Sequence, residues 1–220
     1  SQATNTRTFT QEFQLASANG SSFQWIVGAF YLDEKTDHTS VFELAFDLGL
    51  DREALFDDVT TTSTQSWAVF AEGTYDFGGG FSATVGARYT EEEKDAAIIN
   101  NLFGEGSAVS QNFDAFTPRL ILAYTPTDRS TLYASVARGF KSGGTSGLGG
   151  VLDAFDEETV TAYEAGYRAV LANGRVRLNT AIFYNDYKGA QIFALDDTDV
   201  GAFVTIPVNI PQSRTAGFEF

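Results

Sequence analysis

The sequence predicts an all-β fold, a segment of an antiparallel transmembrane β-barrel with about nine strands. Three observations carry this. Short, sharp turns alternate with long acidic stretches along the chain. Between them lie segments in which apolar and polar residues alternate with period two. The apolar faces of those segments carry aromatic residues about eight positions apart, as Trp67 and Tyr75 or Phe81 and Tyr89. Short turns on one side, long loops on the other and two aromatic girdles are the pattern of a barrel that crosses a membrane with strands.

The short turns are Ala18–Ser22, Phe77–Gly80, Thr125–Arg129 and Leu171–Gly174, and the long polar loops are expected at 33–62, 91–112, 141–158 and 195–203. Strands at about 8–17 and 23–32 open the series. Ser66–Phe77 puts Trp67, Val69, Ala71, Gly73, Tyr75 and Phe77 on one face, with Glu72, Thr74 and Asp76 on the other. Its glycine-rich turn leads into Phe81–Glu91, where Phe81, Ala83, Val85, Ala87 and Tyr89 alternate with Ser82, Thr84, Gly86, Arg88 and Thr90. Phe116–Tyr124 and Thr131–Phe140 form the next hairpin. Leu120, Leu122 and Tyr124 oppose Arg119. Thr131–Phe140 is ambiguous, because Arg138 shares the face of Leu132, Ala134 and Val136, an arrangement that a bulge near Arg138 would reconcile. Thr159–Leu171 and Arg175–Leu195 flank Ala172-Asn173-Gly174, and 204–220 closes the series.

A soluble sandwich also alternates. It has no reason to place aromatics at two fixed depths with small or aliphatic residues between them. Eight residues rise roughly 26 Å along a strand, or roughly 19 Å when tilted, close to the apolar height of a membrane barrel. The opposite faces carry Glu72, Arg88, Arg119, Glu164, Arg168 and Arg177, which a barrel points into a polar lumen. No run reaches the ~18 apolar residues of a membrane helix. The longest, Trp25–Leu32, has eight and includes Gly28. Nine strands is odd for a bacterial barrel. The chain also lacks Met and a signal peptide, and Gly217–Phe220 ends with no turn after it. A piece of a longer wall is therefore expected.

The chain of 220 residues has a net charge of −15 and no cysteine. Thiolate metal sites and disulfides are excluded, and nucleic acid is not an expected partner, since that needs a basic patch. The four loops hold 21 of the 29 acidic residues and four of the 14 basic ones, a net −17, which leaves the remainder at +2. Those acids could hold divalent cations that bridge to the phosphates of surface lipid; no other cofactor is expected. A helical turn is expected near Leu50–Phe56.

The chemistry-bearing residues mostly have plain explanations. His38, the single histidine, lies next to Asp37 in a loop and is expected to be solvated rather than catalytic. Gly143–Gly150 follows Lys141-Ser142 instead of preceding a Gly-Lys-Ser/Thr, so a flexible loop is expected and not a phosphate cradle. Asp196-Asp197-Thr198-Asp199 lacks the glycine and distal glutamate of a calcium loop. Glu91–Glu93 and Asp156–Glu158 are expected as loop-edge charges. The loop aromatics Phe42, Phe46, Phe56 and Phe103 are the candidate ligand contacts, with packing between loops as the simpler alternative. No catalytic or metal-ligating residue is expected.

Several segments resemble TonB-dependent outer-membrane receptors. Arg138-Gly139-Phe140-Lys141-Ser142-Gly143-Gly144 is similar to that family's "GFK-x-GG" segment. Glu157–Arg168 resembles its "PE-x-v-x-x-YE-x-G-x-K" strand, with Glu157 where proline is usual and Arg168 where lysine is common. Arg177–Tyr187 resembles "rlN-x-A-x-Fy-x-dy", and Gln191-Ile192 and Thr215–Glu219 also fit. The resemblance is densest over 116–220. It implies a 22-stranded barrel in the outer membrane of a Gram-negative bacterium, with a plug domain and a TonB-contacting motif upstream. Neither is found in this sequence, so residues 1–220 are expected to be part of the barrel domain. The implied activity is energy-coupled uptake of a scarce nutrient, such as an iron–siderophore complex, haem, cobalamin or an oligosaccharide. The implied partners are outer-membrane lipid, a small-molecule nutrient ligand and the TonB complex through the plug. A passive porin or adhesin barrel is the alternative, and a barrel enzyme a more distant one. With loops at −17, a neutral or cationic ligand, or one bridged by divalent cations, is expected.

Overall fold

The computed structural model describes residues 2–18, 20–44, 53–197 and 203–220. In chain order the strands are β1 (Gln2–Ala16), β2 (Phe23–Leu44), β3 (Glu53–Gly78), β4 (Phe81–Asn100), β5 (Glu105–Thr127), β6 (Ser130–Lys141), β7 (Gly144–Leu148), β8 (Val151–Phe155), β9 (Glu158–Leu171), β10 (Val176–Asp197) and β11 (Phe203–Glu219). Nine of them form one antiparallel sheet in the order β1-β2-β3-β4-β5-β6-β9-β10-β11. β7 and β8 pair only with each other, as a hairpin inserted between β6 and β9.

The period-two pattern dictates which side of the sheet each residue takes. Along the second half of β4, even positions are buried or half-buried and odd ones are mainly exposed. The apolar face is bare: Phe13, Phe77, Val85 and Phe218 are each at least 60% exposed. Such a continuous exposed apolar face belongs against lipid. Its aromatics form two rows. Towards the long connections run the ring contacts Phe9–Tyr31 at 6.4 Å, Trp67–Tyr89 at 5.7 Å and Tyr163–Tyr184 at 6.4 Å. Towards the short turns, Phe81 stacks on Tyr124 at 4.2 Å and Tyr75 meets Phe77 edge-on at 4.9 Å.

The nine strands lie where the alternation places them, but several run much further. The stretch 33–62 is mainly strand, with β2 continuing to Leu44 and β3 beginning at Glu53, and 91–112 is a hairpin turning at residues 101–104. The wall therefore extends 11 to 14 residues beyond Tyr31, Trp67, Tyr89 and Phe116, roughly 36–46 Å along the strands. Where the β7–β8 hairpin covers these extensions the inner face is buried, as at Ala96, Ile98 and Asn100, but the residues there are a mixture of polar and apolar, so the sequence alternation that marks a half-buried strand is lost. Threonine and cross-strand hydroxyl contacts hold the pairing instead. Thr4 meets His38 at 2.8 Å, Thr6 meets Thr36 at 3.0 Å, and Thr8 donates to Glu34 at 2.9 Å.

Other expectations are corrected locally. Glu53–Phe56 begin β3, so that part of the expected helical turn is strand; residues 50–52 lie outside the described residues. No bulge occurs near Arg138, because β6 and β9 pair without a shift from Ser130 to Lys141. The wall opens there instead. Pairing between β5 and β6 ends at Arg119 and Ala137, and Arg138 lines a cavity shared with Glu72, Arg88 and Arg119. Gly143–Gly150 is not a loose loop, since most of it builds the β7–β8 hairpin. At its turn Gly149 and Gly150 have φ of +64° and +85°, a left-handed pair that glycine adopts without a side-chain penalty.

Candidate functional site

The lumenal face at mid-wall carries charged groups held by one ion pair and by aromatic rings. Glu72 and Arg119 form an ion pair across β3 and β5. Arg88 lies over Phe30 at 5.5 Å and Phe70 at 5.8 Å. Tyr133 donates to Glu164, and Arg168 covers its ring at 4.8 Å. Gly166 lets that ring lie flat against β9, because a Cβ there would stand 2.5 Å from it.

The β7–β8 hairpin folds inward over the extended parts of β3, β4 and β5. Leu152 seats on Ile98 and Ala96, with Val109 alongside, the main buried apolar cluster among the described residues. Asp58 and Asn100 hold the hairpin's turn from beneath. Asn100 is fully buried and Asp58 nearly so. The Asn100 Nδ2 donates to Asp58 Oδ1 at 2.8 Å, and the Gly149 N–H donates to Asp58 Oδ2 at 2.8 Å. The Asn100 Oδ1 accepts from the backbone N–H of Leu102 and Phe103. The Ser107 hydroxyl donates to the Gly150 carbonyl at 3.1 Å and accepts from the Leu152 N–H at 2.9 Å.

Lys94 and two amides fix the ends of the hairpin. The Lys94 ammonium donates to Ser142 Oγ at 2.8 Å and the Gly143 carbonyl at 3.0 Å, and pairs with Glu92 at 3.0 Å. Gln191 donates to the carbonyls of Ser142 and Asp156, each at 3.0 Å, and Asn209 donates to those of Asp156 and Gly189. Between this hairpin and the wall lies a cavity of about 550 Å³, lined by Thr64, Lys94, Gln111, Lys141, Ser142 and Gln191 among others. Its lining is mixed, with apolar surface from Phe155, Ile192 and Pro207 and polar groups from Lys141 and Thr64, which suits a small molecule with both apolar and polar parts. One acceptor there, Gln111 Oε1, is buried without a partner.

The expected contact residues are scattered. Phe103 sits at the tip of the β4–β5 hairpin, 69% exposed. Phe42 and Phe56 are register partners on β2 and β3. Phe46 lies outside the described residues, as do Thr198 and Asp199. His38 is in a strand, bonded to Thr4, rather than in a loop. Glu91–Glu93 belong to β4 and Glu158 opens β9, where it accepts the Gln191 N–H at 2.7 Å, so these four are wall residues, whereas Asp156 and Glu157 lie at the edge between β8 and β9 as expected. Among the described residues no three His, Cys, Asp or Glu side chains are grouped to hold a metal ion. The polar residues around the hairpin carried little signal of their own in the sequence. The Leu148-Gly149-Gly150-Val151 hairpin signature was the available clue.

A lipid-facing antiparallel wall with a polar inner face and an inward-folded hairpin defines a membrane β-barrel. The chain belongs to the TonB-dependent receptor-like β-barrel family, whose model matches residues 1–220. It is 30% identical over 132 residues to the metal-pseudopaline receptor CntO of Pseudomonas aeruginosa, covering 60% of this chain and 17% of that protein. Among solved structures it is similar to the ferric yersiniabactin uptake receptor FyuA of Yersinia pestis, with a TM-score of 0.74 at 20% identity over 87% of this chain and 30% of that one. It is also similar to the alcaligin outer-membrane receptor FauA of Bordetella pertussis, with a TM-score of 0.68 at 17% identity over 99% and 36%. The chain thus spans about a fifth of its curated relatives and about a third of these structures. The family and these neighbours are receptors, so the enzyme alternative falls.

Proposed function

We propose that this chain forms part of the outer-membrane wall of a Gram-negative receptor that takes up a scarce metal complex by energy-coupled transport. The observation that carries this is the cavity of mixed lining between the inner wall and the β7–β8 hairpin, on a sheet whose other face is built for lipid. The sequence relative named as a metal–pseudopaline receptor supports a metal chelate over cobalamin or an oligosaccharide. The long extensions then face the medium and the short turns the periplasm. Ligand capture occurs at the tips and in the cavity, and passage follows displacement of a plug engaged by the TonB complex.

The β1 and β11 edges have no partner among the described residues. A sheet edge open to hydrocarbon is untenable, so further strands complete the wall. Phe42, Phe56 and Phe103, with Phe46, remain our proposed tip contacts for the ligand. The test is uptake of radiolabelled iron, presented in the organism's own iron-starved culture supernatant, by cells with and without the gene. Loss on deletion, and loss when a protonophore is added to complemented cells, is expected. Protonophore-insensitive uptake would favour a passive pore.

A further inference from the structure

We propose that the β7–β8 hairpin is a fixed lining of the bore and not a moving lid, and that Asp58 and Asn100 are the positioning residues that rivet it. The hairpin then sets the size of the cavity and supplies its Ser142–Ser146 face. This rests on the uptake reading only for the identity of the cavity's occupant.

The bonding explains why the hairpin stays. A mobile loop over a lumen keeps its polar groups wet and its contacts few. Here the contacts come from β3, β4, β5, β10 and β11. Asp58 and Asn100 have almost no solvent access, and their four carboxylate and amide bonds interlock. If the hairpin swung away, Asp58 Oδ2 would lose its Gly149 donor and Ile98 its Leu152 cover. Water would then replace the Gly149 donor, so what holds the hairpin is the net gain of the Asp58–Gly149 bond over water together with the apolar seat of Leu152 on Ile98 and Ala96. The donor pattern is also specific. Both Asp58 oxygens accept, while Asn100 donates through its amide and accepts through its carbonyl. In Asp58→Asn, one atom at position 58 becomes a second donor facing either Gly149 N–H or Asn100 Nδ2. Exchanging the two residues repairs this. Asn at 58 then accepts from Gly149 and donates to Asp at 100, which still accepts from Leu102 and Phe103.

The experiment uses the full receptor and needs no ligand, so its failure and that of the uptake reading are separable. Backbone hydrogen exchange is measured for 144–155. In the unaltered protein Gly149 and Leu152 should exchange as slowly as the β4 extension they rest on. Asp58→Asn should speed exchange of 144–155 about 10- to 100-fold, the loss of one or two buried bonds, and the D58N/N100D exchange should restore it. In intact cells Thr64→Cys, behind the hairpin, should react with a small methanethiosulfonate but not with a polyethylene-glycol maleimide. Asp58→Asn should admit the large reagent and the double exchange should exclude it again. Rapid exchange of 144–155 in the unaltered protein, large-reagent labelling without any substitution, or no rescue by the double exchange would each overturn the proposal.

Discussion

At the scale of single residues, the lumenal face depends on close cross-strand fits. Gly166 is the register partner of Tyr133, and that ring in turn links Glu164 and Arg168. A larger side chain at 166 would push the ring off the wall. Gly166→Val should destabilise the barrel by about 1–3 kcal/mol, as overpacking does, measured by urea unfolding of the receptor in lipid. Tyr133→Ala should recover part of that loss, because the two sites are in contact. Past the outer aromatic row, hydrogen bonds from Gln212 and then Arg214 hold the Asp186 carboxyl below the usual aspartate range. Its contribution is present at neutral pH and is lost as pH falls through that lowered value. The stability difference between the unaltered protein and Asp186→Asn should shrink across that acid window; a difference independent of pH would contradict it.

At the scale of elements, each strand has one face for lipid and one for the lumen, and the two should tolerate charge differently. Val85→Arg places a cation on the mid-depth apolar face and should cost about 2–4 kcal/mol. Thr84→Arg, one residue away on the lumenal face, should cost much less, both measured by folding into lipid vesicles. The membrane-embedded parts of the nine strands were legible in the sequence because lipid imposes strict alternation. Trp67 to Phe77 and Phe81 to Tyr89 show it plainly. The extensions were not, since Thr60–Thr64 and Ala96–Asn100 pair in a setting that is wet on both faces or covered by a hairpin. The β7–β8 hairpin was hidden for another reason. Its five-residue strands are stabilised by Asp58, Asn100 and Ser107, the first of them some ninety positions away in the chain. No local pattern encodes such contacts, so the sequence offers the loop aromatics as candidate contacts and gives no sign of the polar residues beneath the hairpin.

At the scale of the molecule, charge and orientation are linked. The neutral body sits in the membrane and the acidic excess lies in the extensions. We propose that these acids attract divalent cations shared with lipid phosphates. A polyanion approaching the tips is then repelled over about 8–10 Å at ordinary salt. Association of a tri-anionic probe such as a ferric tris-catecholate with the full receptor should be slow at low ionic strength and should quicken with added magnesium. Fast association at low salt without divalent cations would contradict this.

The sidedness of the wall, with its long end outside, sets where ligand and lipid meet the chain. The chain has no cysteine, so single cysteines can mark its two ends. Phe103→Cys marks the tip of the β4–β5 hairpin, and Asp128→Cys the short turn between β5 and β6. The direct measurement is labelling of each by a membrane-impermeant maleimide in intact cells. Phe103→Cys should label at once, and Asp128→Cys only after the outer membrane is permeabilised. Labelling of Asp128→Cys in intact cells, or protection of Phe103→Cys there, would contradict the account.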